Sequence, residues 1–198
     1  MDSNGIFTKL LVITVLLPLF SITAGTDLPD ICPEIVPRSR WGAMDPLEID
    51  YTIIPLQYII VHHTVTPTCK TEASCSDMLT SIQNFHMNTL DFHDIGYNFM
   101  VGGDGKIYEG AGWHKVGAHT YKFNTKSIGL AFIGNFSNAL PEDISLKAAK
   151  DFIECGIRLG ELDEKVKLLG AKQVSSTLSP GLKLFRELKK WKHWSENK

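Results

Sequence analysis

The chain has 198 residues, 43% of them hydrophobic, with 20 Lys and Arg against 22 Asp and Glu and a formal net charge of −2. That length fits one domain with a real core, and the absence of any basic run longer than Lys189-Lys190 argues against a nucleic-acid binder. Four cysteines point to an oxidising compartment.

The first segment reads as a secretory leader. Lys9 precedes an apolar run, Leu10 to Phe20, and small residues follow at Thr23, Ala24 and Gly25. This is the layout of a signal peptide cleaved near Ala24 or Gly25. The run is too short for a membrane span and no later run is long enough. The expected organisation is a signal peptide over 1–25, an N-terminal arm over 26–56 and the main domain over 57–198, in a secreted chain with no membrane span. Cys69 and Cys75 close a small loop and are expected to pair, leaving Cys32 for Cys155. Four cysteines allow three connectivities, and the sequence alone does not choose. No Cys-x-x-Cys spacing suggests zinc. Asn135-Phe136-Ser137 is a glycosylation acceptor if it is exposed in a secreted chain.

In chain order, the arm from Asp27 to Pro37 is polar and punctuated by proline. Trp41 reads as a core anchor for it. Tyr58-Ile59-Ile60-Val61 is rich in β-branched and aromatic side chains and predicts a strand buried on both faces. It runs directly into His62, His63 and Thr64, which places imidazoles at the rim of a sheet, where ligands sit in α/β folds. The plain alternative is a polar strand end. Thr64 to Ser74 is a loop, and Ser74 or Ser76 caps a helix to about Thr89 with Met78, Ile82 and Phe85 on its apolar face. His86 lies beside that face. Tyr97–Val101 and Lys106–Glu109 form a hairpin around Gly102-Gly103-Asp104-Gly105. Gly110 to Thr120 is a loop carrying Trp113, His114 and His119, read as a binding surface, or else as a connection whose aromatics merely pack. Ser127 to Gly134 is a second apolar run, expected beside the first in mid-sheet. Pro141 opens a helix to about Leu159 with Ala148, Phe152, Cys155 and Leu159 inward. Lys165–Leu169 is a short strand. Ser179, before Pro180, reads as the cap of a last helix with Leu182, Phe185 and Leu188 on its apolar face. The pattern predicts an α/β fold: a central mixed sheet of about five strands covered by three helices.

A set of motifs then carries a family resemblance. They are Ser39-Arg40-Trp41-Gly42, Ile60-Val61-His62-His63-Thr64, Phe85-His86, Asp94-Ile95-Gly96-Tyr97-Asn98-Phe99, Gly103-Asp104-Gly105-Lys106-Ile107-Tyr108-Glu109-Gly110, Gly117-Ala118-His119-Thr120, Ile128-Gly129-Leu130-Ala131-Phe132-Ile133-Gly134 and Ser179-Pro180-Gly181. In this order and spacing the chain, from about Ile35 to Trp194, resembles the peptidoglycan recognition proteins, which are similar to bacteriophage-type zinc amidases. It looks most like the short secreted insect members that act as sensors. The resemblance implies a type 2 amidase-like fold and a groove for a muropeptide. By resemblance, His62, His63, Thr64, His86, Tyr97, His119, Tyr121 and Asn124 line that groove. Leu90 stands where a groove arginine is often found, and Ala111 replaces a valine.

Catalytic members cut the amide between the lactyl group and the first alanine of the stem peptide, using a zinc held by three protein ligands. His62 matches the first ligand and Tyr97 the assisting tyrosine. Ala171 stands where the second histidine belongs, and Ser179 where the cysteine belongs. A methyl group has no lone pair, and a hydroxyl is a far poorer zinc ligand than a thiolate. The expectation is no zinc, no other cofactor, no catalytic residue and no amidase activity. The alternative is a peptidoglycan hydrolase, either a residual amidase or a peptidase using Ser179 as nucleophile. Lysine-preferring members often carry Asn-Phe after the Phe-His helix end, and diaminopimelate-preferring ones Gly-Trp. Here the pair is Asp91-Phe92. Phe92 fits the lysine type, and the charge of Asp91 disfavours an extra ligand carboxylate. The resemblance further implies protein partners in a serine-protease cascade upstream of Toll-type signalling.

Overall fold

The structure, a computed structural model, describes Met1 and residues 32–197. The expected signal peptide lies outside the described residues.

The organising strand is β2 (Leu56–His63). Its residues Ile59, Ile60 and Val61 are fully buried, as a run of β-branched side chains in a sheet covered on both faces requires. It runs parallel to β5 (Ser127–Phe132) on one side and β6 (Leu162–Gly170) on the other, so the two strong apolar runs are neighbours in mid-sheet. β3 (Phe99–Val101) and β4 (Ile107–Glu109) form the expected antiparallel hairpin, and β3 continues the sheet beside β5. The order is β1-β4-β3-β5-β2-β6, six strands rather than about five. The additional strand, β1 (Ile35–Val36), comes from the stretch read as polar arm, and pairs parallel to β4. Two residues are too few for a periodicity to reveal.

Among the described residues there are four α-helices rather than three. A single turn, α1 (Arg38–Trp41), ends at Gly42, whose φ of 78° is left-handed. Trp41 is 2% exposed and its Nε1 donates to the Glu109 carbonyl at 2.8 Å, so it anchors the arm as expected. α2 (Glu72–Asn88) is capped by Thr71, not by Ser74 or Ser76. The Thr71 hydroxyl accepts from the Ser74 backbone N–H while the Ser74 hydroxyl accepts from that of Thr71. Its buried face is Cys75, Leu79, Ile82 and His86, whereas Phe85 is 52% exposed. The helix is therefore rotated from the expected face, which puts His86 inward. α3 (Asp143–Arg158) buries Ala148, Phe152 and Cys155 as expected, but Leu159 lies beyond its end and is exposed. α4 (Leu182–Leu188) buries Leu184 and Leu188, not Leu182.

Two cores result. α3 and α4 pack on Ile59, Val61, Leu130 and Phe132, while α1 and α2 pack on Met100, Ala131 and Ile133. Trp113 belongs to the first core: its ring stacks on Phe152 at 4.7 Å and 13°. His114 pairs with Glu161. These two residues of the glycine-rich loop thus pack or pair rather than form a binding surface. Cys32–Cys155 and Cys69–Cys75 are both bonded. Among the described residues, no helix is long and apolar enough to cross a membrane.

Candidate functional site

Alternation along β2 sends His62 and His63 to opposite faces. On the α2 side, His62 meets Tyr97 at 5.3 Å and His119 at 5.4 Å between ring centroids. Tyr97 meets His86 at 5.6 Å, and His86 meets Phe92 at 5.5 Å. Five rings, from α2, the turn after it, the start of the hairpin, the glycine-rich loop and β2, form one continuous row.

Each ring is held by its backbone surroundings. His86 lies in the last turn of α2, and its Nδ1 accepts the Gly96 N–H at 2.9 Å, fixing that ring's orientation. The His119 ring lies over Gly129 of β5, where a Cβ would stand 2.4 Å from its Cγ, so only glycine lets the ring approach. Asn124 accepts from the backbone N–H groups of both His119 and Thr120, at 3.1 and 2.7 Å, and so fixes the loop carrying them. Asn98, fully buried beside Tyr97, donates to the carbonyls of Gly112 and Lys115 and accepts from Gly129 N–H, joining loop to sheet.

The row is electrically neutral. Burial holds His62 well below the usual imidazole range, with His119 and His63 adding to the effect. Burial likewise lowers His119 to about 3, against an opposing pull from the Ser127 backbone. His86 and His63 are lowered by burial, the former opposed by Asp94, and the Tyr97 phenol is raised by burial. Neutral imidazoles and a neutral phenol offer stacking faces and hydrogen-bonding edges, which suits an uncharged, amide- and hydroxyl-rich ligand.

On the other side of β2, the His63 Nδ1 accepts the Phe136 N–H at 3.1 Å, and the His63 N–H donates to Ser179 Oγ at 3.0 Å. Ser179 is therefore not the helix cap. α4 begins three residues later, and Gly181 occupies its cap position. A tertiary bond from β2 outweighs the local preference of Ser-Pro for a helix start. Thr64 Oγ1 accepts the Gly134 N–H and bonds Thr66 Oγ1.

The zinc of the amidase pattern would need donors at His62, Ala171 and Ser179. Ala171 is fully buried and packed with Ile60 and Leu169, so a methyl group fills that position. The Ser179 hydroxyl is already engaged by His63, and the His62 Nε2 lies 3.2 Å from Thr120 Oγ1. These residues do not fit a zinc ion. Among the described residues, no group of three or more His, Cys, Asp or Glu could hold a metal.

The remaining positions lie at the edges. Asp91 is exposed at a φ of 57° and makes no ion pair among the described residues, while Phe92 is half-buried against His86. Tyr121 is 83% exposed with Lys122 over its ring. Leu90 is exposed and Ala111 buried. Sequence reasoning singled out neither Thr120 nor Asn98. The signal for Thr120 was a hydroxyl directly after His119.

A family model described as N-acetylmuramoyl-L-alanine amidase matches residues 53–182. Peptidoglycan-recognition protein 2 of Holotrichia diomphalia is 53% identical over 166 residues, 84% of this chain and 89% of that protein. The solved Drosophila peptidoglycan recognition protein SA superposes with a TM-score of 0.83 at 47% identity, covering 84% of this chain and 96% of that one. Peptidoglycan recognition protein LE, solved in complex with tracheal cytotoxin, a monomeric diaminopimelic acid-type peptidoglycan, gives 0.80 at 37% identity, covering 81% of this chain and 95% of that one. With the motifs, the amidase-like sheet, the family model and these relatives in agreement, the chain belongs to the peptidoglycan recognition protein family.

Proposed function

We propose that this protein is a secreted receptor that binds bacterial peptidoglycan and does not cut it. One observation carries the reading: the neutral ring row from His86 through Tyr97 and His62 to His119 is intact, while the adjoining metal position is filled by the Ala171 methyl and a Ser179 hydroxyl bonded to β2. A groove of this kind holds a muropeptide by stacking and hydrogen bonds and lacks the Lewis acid its hydrolytic relatives need.

Within that reading the preferred wall is the lysine type. Asp91, exposed and without an ion pair among the described residues, attracts the ammonium group of a stem-peptide lysine and repels the extra carboxylate of diaminopimelate, beside the Phe92 face. His63, Thr64, Tyr121, Asn124 and Ser179 complete or support the walls. Binding then passes to a serine-protease cascade ahead of Toll-type signalling through protein partners.

The test is titration of the purified protein with matched soluble stem peptides and muropeptides of the two types. Tighter binding of the lysine form is expected. Equal affinity for both removes the preference, and no measurable binding of either removes the receptor reading.

A further inference from the structure

One motif of the sequence takes no part in the groove. Asn135-Phe136-Ser137 is the single Asn-x-Ser or Asn-x-Thr triplet of the sequence, and neither Phe136 nor Asn138 is a proline that would block its use. It lies shortly after the end of β5. Asn135 is exposed, whereas Phe136 is 5% exposed and turns into the core beneath α3 and α4, on the face of the sheet away from the ring row.

The backbone holds this triplet in place. The Gly134 N–H donates to Thr64 Oγ1 at 2.9 Å, and the Gly134 carbonyl accepts the Val65 N–H at 2.9 Å. The Phe136 N–H donates to His63 Nδ1 at 3.1 Å, and the Phe136 carbonyl accepts the Lys183 N–H at 3.1 Å. Asn135 thus projects from a stretch tied to the end of β2 on one side and to α4 on the other. Its side chain is oriented too. Asn135 Oδ1 accepts the Ser137 N–H at 3.1 Å, which makes an Asx turn. A backbone N–H only donates, so the amide atom facing Ser137 is the oxygen. The planar amide then turns Nδ2 the other way, and Nδ2 makes no hydrogen bond among the described residues. The nitrogen that bears the sugar in such triplets is therefore unengaged, on an exposed residue.

We propose that Asn135 carries an N-linked glycan, added as the chain enters the secretory pathway and accommodated by the fold because the side chain bearing it is exposed. The donor is a lipid-pyrophosphate-linked oligosaccharide. Asn135 Nδ2 attacks C1 of its reducing-end N-acetylglucosamine. The C1–N bond forms, the C1–O bond to pyrophosphate breaks, the lipid pyrophosphate leaves with the electron pair, and Nδ2 gives up one proton. The disulfides Cys32–Cys155 and Cys69–Cys75 agree with the oxidising compartment in which this transfer occurs. The glycan is rooted beside Thr64 and Val65, and its anchor Phe136 lies across the sheet from Tyr97 and His119, so the ring row stays open. This rests on the secreted part of the proposed function and not on its ligand.

The experiment is expression of the full chain in insect cells, with intact-mass and peptide mass spectrometry before and after an amidase that releases N-glycans. The wild type should carry a hexose and N-acetylhexosamine mass on the peptide containing Asn135, and release should leave Asp at that position. Asn135→Gln and Ser137→Ala should each lack the added mass, and Ser137→Thr should keep it. Affinity of Asn135→Gln for a lysine-type muropeptide should stay within about twofold of the glycosylated wild type. An unmodified Asn135 in the wild type, secreted or retained in the cells, overturns the proposal, and so does an added mass that persists in Asn135→Gln. A change in affinity of about tenfold on losing the glycan overturns its placement away from the ring row. The wild-type masses decide the modification should a variant not fold. A glycosylated wild type that binds no muropeptide overturns the receptor reading instead and leaves the glycan standing.

Discussion

The two walls beside β2 differ in how they treat polar atoms. On the wall made by α2, the hairpin and the glycine-rich loop, imidazoles and a phenol are kept, held neutral by burial and anchored by bonds to Gly96, Thr120 and the Asn98 network. On the wall made by residues 170–181, packing and a backbone bond predominate. Ala171 joins Ile60 and Leu169 in a small apolar cluster, and Ser179 spends its hydroxyl on a backbone N–H. A recognition surface needs only the first wall, whereas a metal hydrolase needs both.

The largest effect should come from rebuilding the second wall. Ala171→His together with Ser179→Cys supplies two donors beside His62, and the double variant should retain about one equivalent of zinc after dialysis while the wild type and each single variant do not. Elemental analysis reads this directly, and a double variant without zinc would mean that something other than donor loss separates the walls. Breaking the first wall comes next. Asn98→Ala leaves three backbone groups, two of them buried, without their side-chain partner and should cost about 3 kcal/mol or more of stability by urea denaturation. A loss below about 1 kcal/mol would show that the loop is held by other means.

Acid should weaken the first wall more gently. An unfolded histidine titrates near the ordinary value, about 6.5, whereas folded His119 titrates at about 3. Above the unfolded value both states are neutral and the stability is fully present. As pH falls from there toward the folded value, only the unfolded chain takes the proton, so stability is lost, by about 1 kcal/mol per such ring between pH 6.5 and 5.5. Denaturation at the two pH values measures it, His119→Gln should reduce the loss, and a gain on acidification would contradict it. The smallest effect lies at exposed Asp91. Asp91→Asn should lower the ratio of lysine-type to diaminopimelate-type affinity about threefold, as expected of an exposed charge, and an unchanged ratio would remove Asp91 from the account.

Much of this was legible in the sequence, for identifiable reasons. β2 announced itself as a β-branched run, β5 as an apolar one, the hairpin by its glycine and aspartate turn, and the Cys69–Cys75 disulfide by its small loop. What was hidden had few residues or was decided at a distance. β1 is two residues long. The inward face of α2 turned on whether Leu79 or Phe85 was buried, and both choices suit a helical period. Ser179 looked like a cap because Ser-Pro-Gly favours one locally, and only the tertiary position of His63 shows otherwise. The histidines themselves stood out, but the hydroxyl joining two of them could not be seen until the loop was folded against β2.

The most direct test of binding without cutting is to incubate the purified protein with a lysine-type muropeptide, with and without added zinc, and to analyse the bound and free fractions by mass spectrometry. The account expects the muropeptide to be recovered intact from the bound fraction under both conditions. Appearance of a stem peptide with a free alanine amino group, separated from its lactyl sugar, under either condition would contradict it.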